Sequence, residues 1–327
     1  MKSFSNLNPK SLQETVSLLK EARQGGEVVS VAGGGSDLLG MIKEARVAPD
    51  VLVNLKNLEI MRGIEERADG VRIGGLVTMN ELSRHPLIRF RYKVLAEAAG
   101  SVGTPQIRNV GTVAGNMCQR PWCWYFREGF PCFKNGGDRC FSVVGENQFN
   151  AIFGGGPSFI VHPSDSAPAL MALDARFRLV GSDQERWVPA LEFFILPRED
   201  VSRENVLGED EILAEIQLPP IEADTKSTYV KVMDREAWTH AVVSLAMSLQ
   251  FQGGICTKAR IVLGGVAPIP WHLPAVEQML EGKRVTPELA GQAGQAAVAG
   301  AQGLSKNAYK IPMTEALVRR TVISLGA

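Results

Sequence analysis

Four thiols crowded between positions 118 and 140 constrain this chain more than any other feature. Cys118, Cys123, Cys132 and Cys140 lie there, and only Cys256 lies elsewhere. Thiolates gathered this densely hold a soft metal cooperatively, although each alone binds weakly. The gaps between them are four, eight and seven residues. No C-x-x-C pair occurs, so the tight knuckle of a zinc ribbon is missing. Wide, irregular gaps suit a bulkier guest than one tetrahedral ion, which makes an iron–sulfur cluster the first candidate, with zinc or disulfides left open. The first ten residues contain no continuous apolar run, so no export signal is expected and the thiols default to a reducing, cytoplasmic compartment. Co-export to the periplasm with a signal-bearing partner would evade that argument.

A chain of 327 residues has the length of about two domains. Lysine plus arginine equals aspartate plus glutamate, 35 each, so no overall charge points to nucleic acid or an anionic membrane. The apolar runs are strand-sized, and no membrane span is expected. Apolar spacing predicts helices over 11–22, 79–84, 92–99, 167–175, 274–280, 287–301 and 313–325. It predicts strands over 27–32, 51–55, 71–78, 158–161, 176–179 and 212–217, then an antiparallel set over 227–232, 241–252 and 258–264. Leu218-Pro219-Pro220 and the polar run after it read as a linker.

Three segments outside the cysteines look built for a ligand. The first strand runs into Ala32, Gly33, Gly34, Gly35, Ser36, Asp37 and Leu38, a strand–glycine–helix turn that aims backbone N–H groups at a phosphate. It is neither a Rossmann fingerprint, because Leu38 takes the third glycine position, nor a P-loop, because no Gly-Lys-Ser/Thr follows. A side chain at Gly34 is expected to fill space that a pyrophosphate needs. The second segment spans 101–116 and includes Ser101, Thr104, Gln106, Ile107, Arg108, Asn109, Gly111, Thr112, Gly115 and Asn116. Its small residues let backbone approach a planar ligand, and Thr104, Asn109 and Thr112 can hydrogen-bond one. Arg108 is a candidate counter-charge for a phosphate or a reduced ring. In the third segment, between Pro163 and Pro168, Asp165 is expected to cap a helix while its carboxylate faces a ligand. His162 and His240 are read as structural, and Cys256 as a small buried apolar group.

Taken in order, these segments resemble the FAD-binding medium subunit of the molybdenum hydroxylases, the xanthine dehydrogenase and carbon monoxide dehydrogenase family. The family's Ala-Gly-Gly-Gly-Thr-Asp-Leu loop is matched at 32–38, with Ser36 for threonine. Its Gln-Ile-Arg-Asn-x-Gly-Thr-x-Gly-Gly-Asn loop is matched at 106–116, with Ala114 for one glycine. Its Pro-Ser-Asp-x-Ala-Pro-Ala-Leu segment is matched at 163–170, and the run around Thr78 and the stretch starting at Lys231 also fit. The resemblance implies an α+β chain: a two-subdomain FAD-binding domain of the PCMH/vanillyl-alcohol-oxidase type over 1–220, divided into 1–57 and 58–220, then a small α+β domain over 221–327. It also implies FAD contacts at Thr78, Asp165 and Lys231.

The insertion at 117–157 is similar to that of the 4-hydroxybenzoyl-CoA reductase flavoprotein subunit and of the bacterial periplasmic aldehyde oxidoreductases, which carry a [4Fe–4S] cluster there. The run from Cys118 through Trp122, Cys123, Trp124, Tyr125 and Phe126 to Arg127 looks closer to the aldehyde oxidoreductase type. The resemblance implies cluster ligation by Cys118, Cys123, Cys132 and Cys140. Arg120, Arg127, Lys134 and Arg139 are expected either to offset part of a cluster's negative charge or to form a solvated basic face. It implies an oxidoreductase subunit, inactive alone, in a heterotrimer or a dimer of heterotrimers with a molybdopterin-binding large subunit and a [2Fe–2S] small subunit. Electrons would pass from these partners through FAD to an external acceptor. The alternatives are inward electron flow, as in 4-hydroxybenzoyl-CoA reductase, and a zinc-stabilised scaffold without redox function.

Overall fold

The structure is a computed structural model that describes residues 2–236 and 239–327. Among the described residues, three sheets organise the chain. The first is parallel, in the order β1 (Ser5–Leu7), β3 (Val51–Asn54), β2 (Val29–Ala32). Parallel neighbours need a crossover: the helix Leu38–Lys43 lies in the one from β2 to its neighbour β3, and the helix Leu12–Gln24 links β1 to β2, the two strands that flank β3. Ser11 caps that helix by accepting from Glu14 N, and its Val16, Leu19 and Ala22 are buried. They pack with Val51 and Val53, and with Ile212 and Ala214 from the second sheet.

The second sheet is antiparallel, in the order β4 (Ile64–Arg67), β5 (Gly70–Gly74), β8 (Ile212–Leu218), β6 (Arg176–Val180), β7 (Glu185–Pro189). The helices Met79–Arg84, Lys93–Gly100 and Ser166–Ala172 share its core, with Ile73, Leu95, Leu170, Phe177 and Phe193 fully or almost fully buried.

The third sheet is antiparallel, in the order β12 (Trp271–His272), β11 (Ile255–Gly264), β10 (Val243–Gln252), β9 (Thr225–Val232). Side chains alternate between faces along a strand. On β10, Val243, Leu245, Met247 and Leu249 join the core under the helices Pro274–Leu280, Pro287–Ala297 and Lys310–Gly326. Ala246, Val262 of β11 and Tyr229 of β9 face the other way, into the core of the second sheet. The third sheet is therefore covered on both faces.

The α+β expectation holds, with local corrections. Residues 158–161 form no strand: Phe159 O accepts from Ala151 N and His162 N donates to Ala267 O, contacts that build no ladder. The helix expected to reach 301 ends at Ala297, and the last begins at Lys310. Segment 101–116 folds largely into two short helices, Pro105–Val110 and Val113–Met117. Among the described residues no helix is long and apolar enough to cross a membrane.

Candidate functional site

Two backbone loops touch at the C-terminal end of β2. After Ala32 the chain turns through Gly33, Gly34, Gly35 (φ +75°) and Ser36 into the helix Leu38–Lys43. Among the described residues, the N–H groups of Gly34, Gly35, Ser36 and Asp37 donate to no backbone acceptor, although Leu39 N reaches Gly35 O at 3.0 Å. A row of free donors at a strand-to-helix turn suits a phosphate. A Cβ on Gly34 would lie 1.8 Å from Val110 O, and one on Gly33 would lie 2.8 Å from Thr112 Oγ1. These glycines let the 32–38 and 106–116 segments meet. A side chain at Gly34 would therefore strike the second loop's backbone, a constraint the sequence did not show.

The threonines singled out as ligand contacts all cap helices. Thr104 Oγ1 accepts from Ile107 N (3.3 Å), and Thr112 Oγ1 accepts from Gly115 N (3.2 Å). Thr78 makes a capping box with Glu81 at the start of Met79–Arg84. These caps satisfy helix-terminal N–H groups and fix the loops around the cradle. Ile107 packs partly buried on the main core, whereas Gln106 and Asn109 are exposed. Arg108 Nη1 donates to Val102 O at 2.9 Å, and Asn116 Oδ1 accepts from Ser164 Oγ at 2.6 Å. A Cβ on Gly111 would lie 3.4 Å from Ser36 Oγ, so the two loops are close there as well.

Asp165 does not cap its helix. Ser164 Oγ does, accepting from Ala167 N at 2.9 Å. The Asp165 carboxylate takes Tyr229 Oη and Lys231 Nζ, each at 2.7 Å. Burial pushes the Asp165 carboxyl up, while Lys231 and Tyr229 pull it back down. Lys231 Nζ also donates to Ser101 O (3.1 Å) and Thr239 O (3.0 Å). Its three donors are therefore used within the protein, and it ties β9 to the second ligand loop. The partners of Asp165 and Lys231 on the page are thus protein groups, with the expected helix cap replaced by this network. Ser164 and Tyr229 are the members of this site that sequence reasoning missed. The inward alternation of Tyr229 on β9 was the available signal. His162 is buried edge-on to Phe194, with ring centroids 4.7 Å apart, and burial pushes its pKa down to about 4.

The insertion packs on the helix Leu38–Lys43. Buried Met41, Phe126 and Cys132 form one cluster, with Val47, Cys123 and Phe141 against it. Burial raises the Cys123 thiol, and the nearness of Cys140 and Cys132 adds to that, while the N–H groups of Phe126 and Tyr125 oppose it. Cys140 accepts from Phe159 N at 3.5 Å. Cys118 stands apart: it packs against the core of the second sheet, and burial alone pushes its thiol to about 12. Three thiols share a neighbourhood and the fourth does not. Among the described residues no group of three or more His, Cys, Asp or Glu is spaced to hold a metal. The four cysteines as placed do not fit a four-thiolate cluster.

The basic residues expected to offset cluster charge pair with carboxylates instead. Arg127 meets Asp37 at 2.8 Å, Arg120 and Lys134 share the buried Glu204, and Arg139 pairs with its exposed neighbour Asp138. Phe126 is buried, whereas Trp122 and Trp124 are 45% and 67% exposed. The aromatics thus both line the cysteine cluster and face outward. Cys256 is fully buried in the third sheet's core.

Two family models cover the chain: the FAD binding domain in molybdopterin dehydrogenase over residues 2–221, and the CO dehydrogenase flavoprotein C-terminal domain over 228–325. The aldehyde oxidoreductase FAD-binding subunit PaoB of Escherichia coli K12 is 33% identical over 251 residues, covering 76% of this chain and 77% of that protein. The carbon monoxide dehydrogenase medium chain of Hydrogenophaga pseudoflava is 28% identical over 319 residues, covering 96% of this chain and 94% of that protein. A solved carbon monoxide dehydrogenase from the same organism superposes with a TM-score of 0.77 at 27% identity, covering 97% of this chain and 95% of that one.

Proposed function

Because this chain belongs to the FAD-binding medium subunits of the molybdenum hydroxylase family, we propose that it is the electron-transfer subunit of a multisubunit molybdenum-dependent dehydrogenase. The observation that carries this reading is the row of free N–H groups at 34–37, pressed against the second loop. That cradle fits a pyrophosphate, and the residues holding it are Gly33, Gly34, Gly35 and Ser36, with Gly111 and Thr112 opposite. Bound FAD supplies electron exchange between the partner subunits' molybdenum and [2Fe–2S] centres and an external acceptor. The chain's own work is to bind and orient: capped helices fix the loops, and the Asp165–Lys231–Tyr229 network ties the third sheet to the loop at Ser101. The proposed partners are a molybdopterin-binding large subunit and a [2Fe–2S] small subunit in a heterotrimer. The proposed substrates of the whole are aldehydes, purines or other heteroaromatics. Similarity to PaoB favours aldehydes.

We further propose the extra [4Fe–4S] cluster for the insertion. What supports it is the density of thiols and the shared neighbourhood of Cys123, Cys132 and Cys140. Cys118 joins that set only if the segment after Met117 turns out of the core. The test is a tagged chain purified anaerobically from its native host. Co-purification of a molybdenum-containing subunit, with flavin bleached by an aldehyde or purine, is expected. A chain that purifies alone with no flavin change on any such substrate contradicts the proposal.

A further inference from the structure

We propose that Arg127 is a positioning residue for FAD: it holds the 32–38 loop in its binding shape by clamping Asp37, so the cysteine segment is part of the flavin site. The inference rests on the reading that this loop receives the FAD pyrophosphate. Asp37 occupies the N-cap position of Leu38–Lys43 and yet makes no capping bond to that helix. Both its oxygens turn to the insertion instead. Oδ1 accepts from Arg127 Nη2 at 2.8 Å, and Oδ2 accepts from Arg120 N at 3.0 Å.

The guanidinium is fixed from its own side. Arg127 Nε donates to Pro121 O at 2.9 Å and Nη2 donates to Arg120 O at 3.0 Å. It lies over the Trp122 ring at 4.4 Å, and its side chain is only 7% exposed. A cation held by its own segment and stacked on an indole is preorganised, so little order is lost when it meets a carboxylate. Residues 120–127 therefore act as the rigid side of the contact and the glycine loop as the side held.

Charge points the same way. Asp37 adjoins the free N–H groups at 34–36, where a pyrophosphate brings negative charge. A bare carboxylate there would repel it, and Arg127 neutralises that carboxylate at contact distance. Arg127 thus restrains the loop and removes its electrostatic penalty without touching the ligand itself.

The test measures FAD dissociation constants by flavin fluorescence on full-length, flavin-stripped protein, comparing wild type, R127M, D37N, the double variant and E146Q. Glu146 lies in the same insertion but outside 120–127, and its exposed carboxylate pairs with Lys306. R127M is expected to weaken FAD about tenfold or more, the effect of one charge-assisted hydrogen bond. In the D37N background it should add less than about twofold, because coupled groups are not additive. E146Q should stay within about twofold of wild type, as a site with no shared partner does. Three results overturn the inference: R127M binding FAD as wild type does, an equal R127M loss in the D37N background, or an E146Q loss as large as that of R127M. If R127M does not fold, R127K replaces it. Partial retention of affinity supports the clamp, because the charge remains without the fork, and affinity equal to wild type refutes a geometric role. Wild-type protein that binds no FAD defeats the pyrophosphate reading itself, a result distinct from all of these.

Discussion

Replacing Gly34 by alanine tests the contact between the two ligand loops. The added carbon would sit 1.8 Å from Val110 O and 2.6 Å from Val110 C. That is roughly 1.5 Å short of ordinary contact. The obstacle is backbone, so no side-chain rotation relieves it and the loops must part. Over-packing of this kind costs about 3 kcal/mol. If the loops separate where the phosphate is gripped, the same loss weakens FAD about 100-fold. Gly40 provides the control, since a Cβ there meets nothing within 4 Å. G40A adds a helix-favouring residue to Leu38–Lys43 and should stabilise by about 0.5–1 kcal/mol. Thermal unfolding and FAD titration on both variants separate the cases. G34A with wild-type FAD affinity and wild-type melting temperature would refute the loop-contact argument.

K231M strands the buried Asp165 carboxylate and should destabilise by about 3–5 kcal/mol, measured by urea unfolding; a loss under ~1 kcal/mol would show the pair to be dispensable. Lys310 is fully buried and donates to the carbonyls of Phe149, Asn150 and Gly265, with its pKa pushed down to about 7 by burial. Between about pH 7 and its unfolded pKa, the unfolded state binds the extra proton, so stability rises with pH by at most about 1.4 kcal/mol per unit. Wild type should therefore gain on K310M as pH increases through that window, and parallel pH profiles would remove Lys310 as the cause. If the thiols hold iron, C132S should lose it, whereas C118S should keep it because that sulfur faces the core; iron loss in C118S would place Cys118 among the ligands. W124S removes a side chain that is 67% exposed and should reduce self-association of the isolated chain without lowering its melting temperature.

Where the physics was local, the sequence was readable. Alternation at Val243, Leu245, Met247 and Leu249 marked a strand with one face on a core, and the ladder is there. The glycine turn after Ala32 was legible because its chemistry belongs to the backbone. Strand β4 was not, since Ile-Glu-Glu-Arg carries an edge position with exposed charges and gains its identity from pairing with β5. Residues 158–161 misled in the opposite way: Phe159, Ile160 and Val161 are apolar and half-buried or buried, but among the described residues no partner strand runs beside them. The side-chain pairings were illegible for a related reason. Asp37 and Arg127 lie 90 positions apart, and Asp165 and Lys231 lie 66 apart. A single sequence shows which residues can pair and not which fold onto one another. Cys118 follows the same rule: in sequence it lies beside the other three thiols, but the helix Val113–Met117 delivers it to the core side.

The most direct test of the central claim is cofactor content per chain after anaerobic purification. About one FAD per chain is predicted for a single cofactor site, and the proposed cluster adds about four irons and four acid-labile sulfides. FAD without iron would leave the flavin account standing and remove the cluster. A folded chain that holds no flavin and takes up none on titration would contradict the account at its centre.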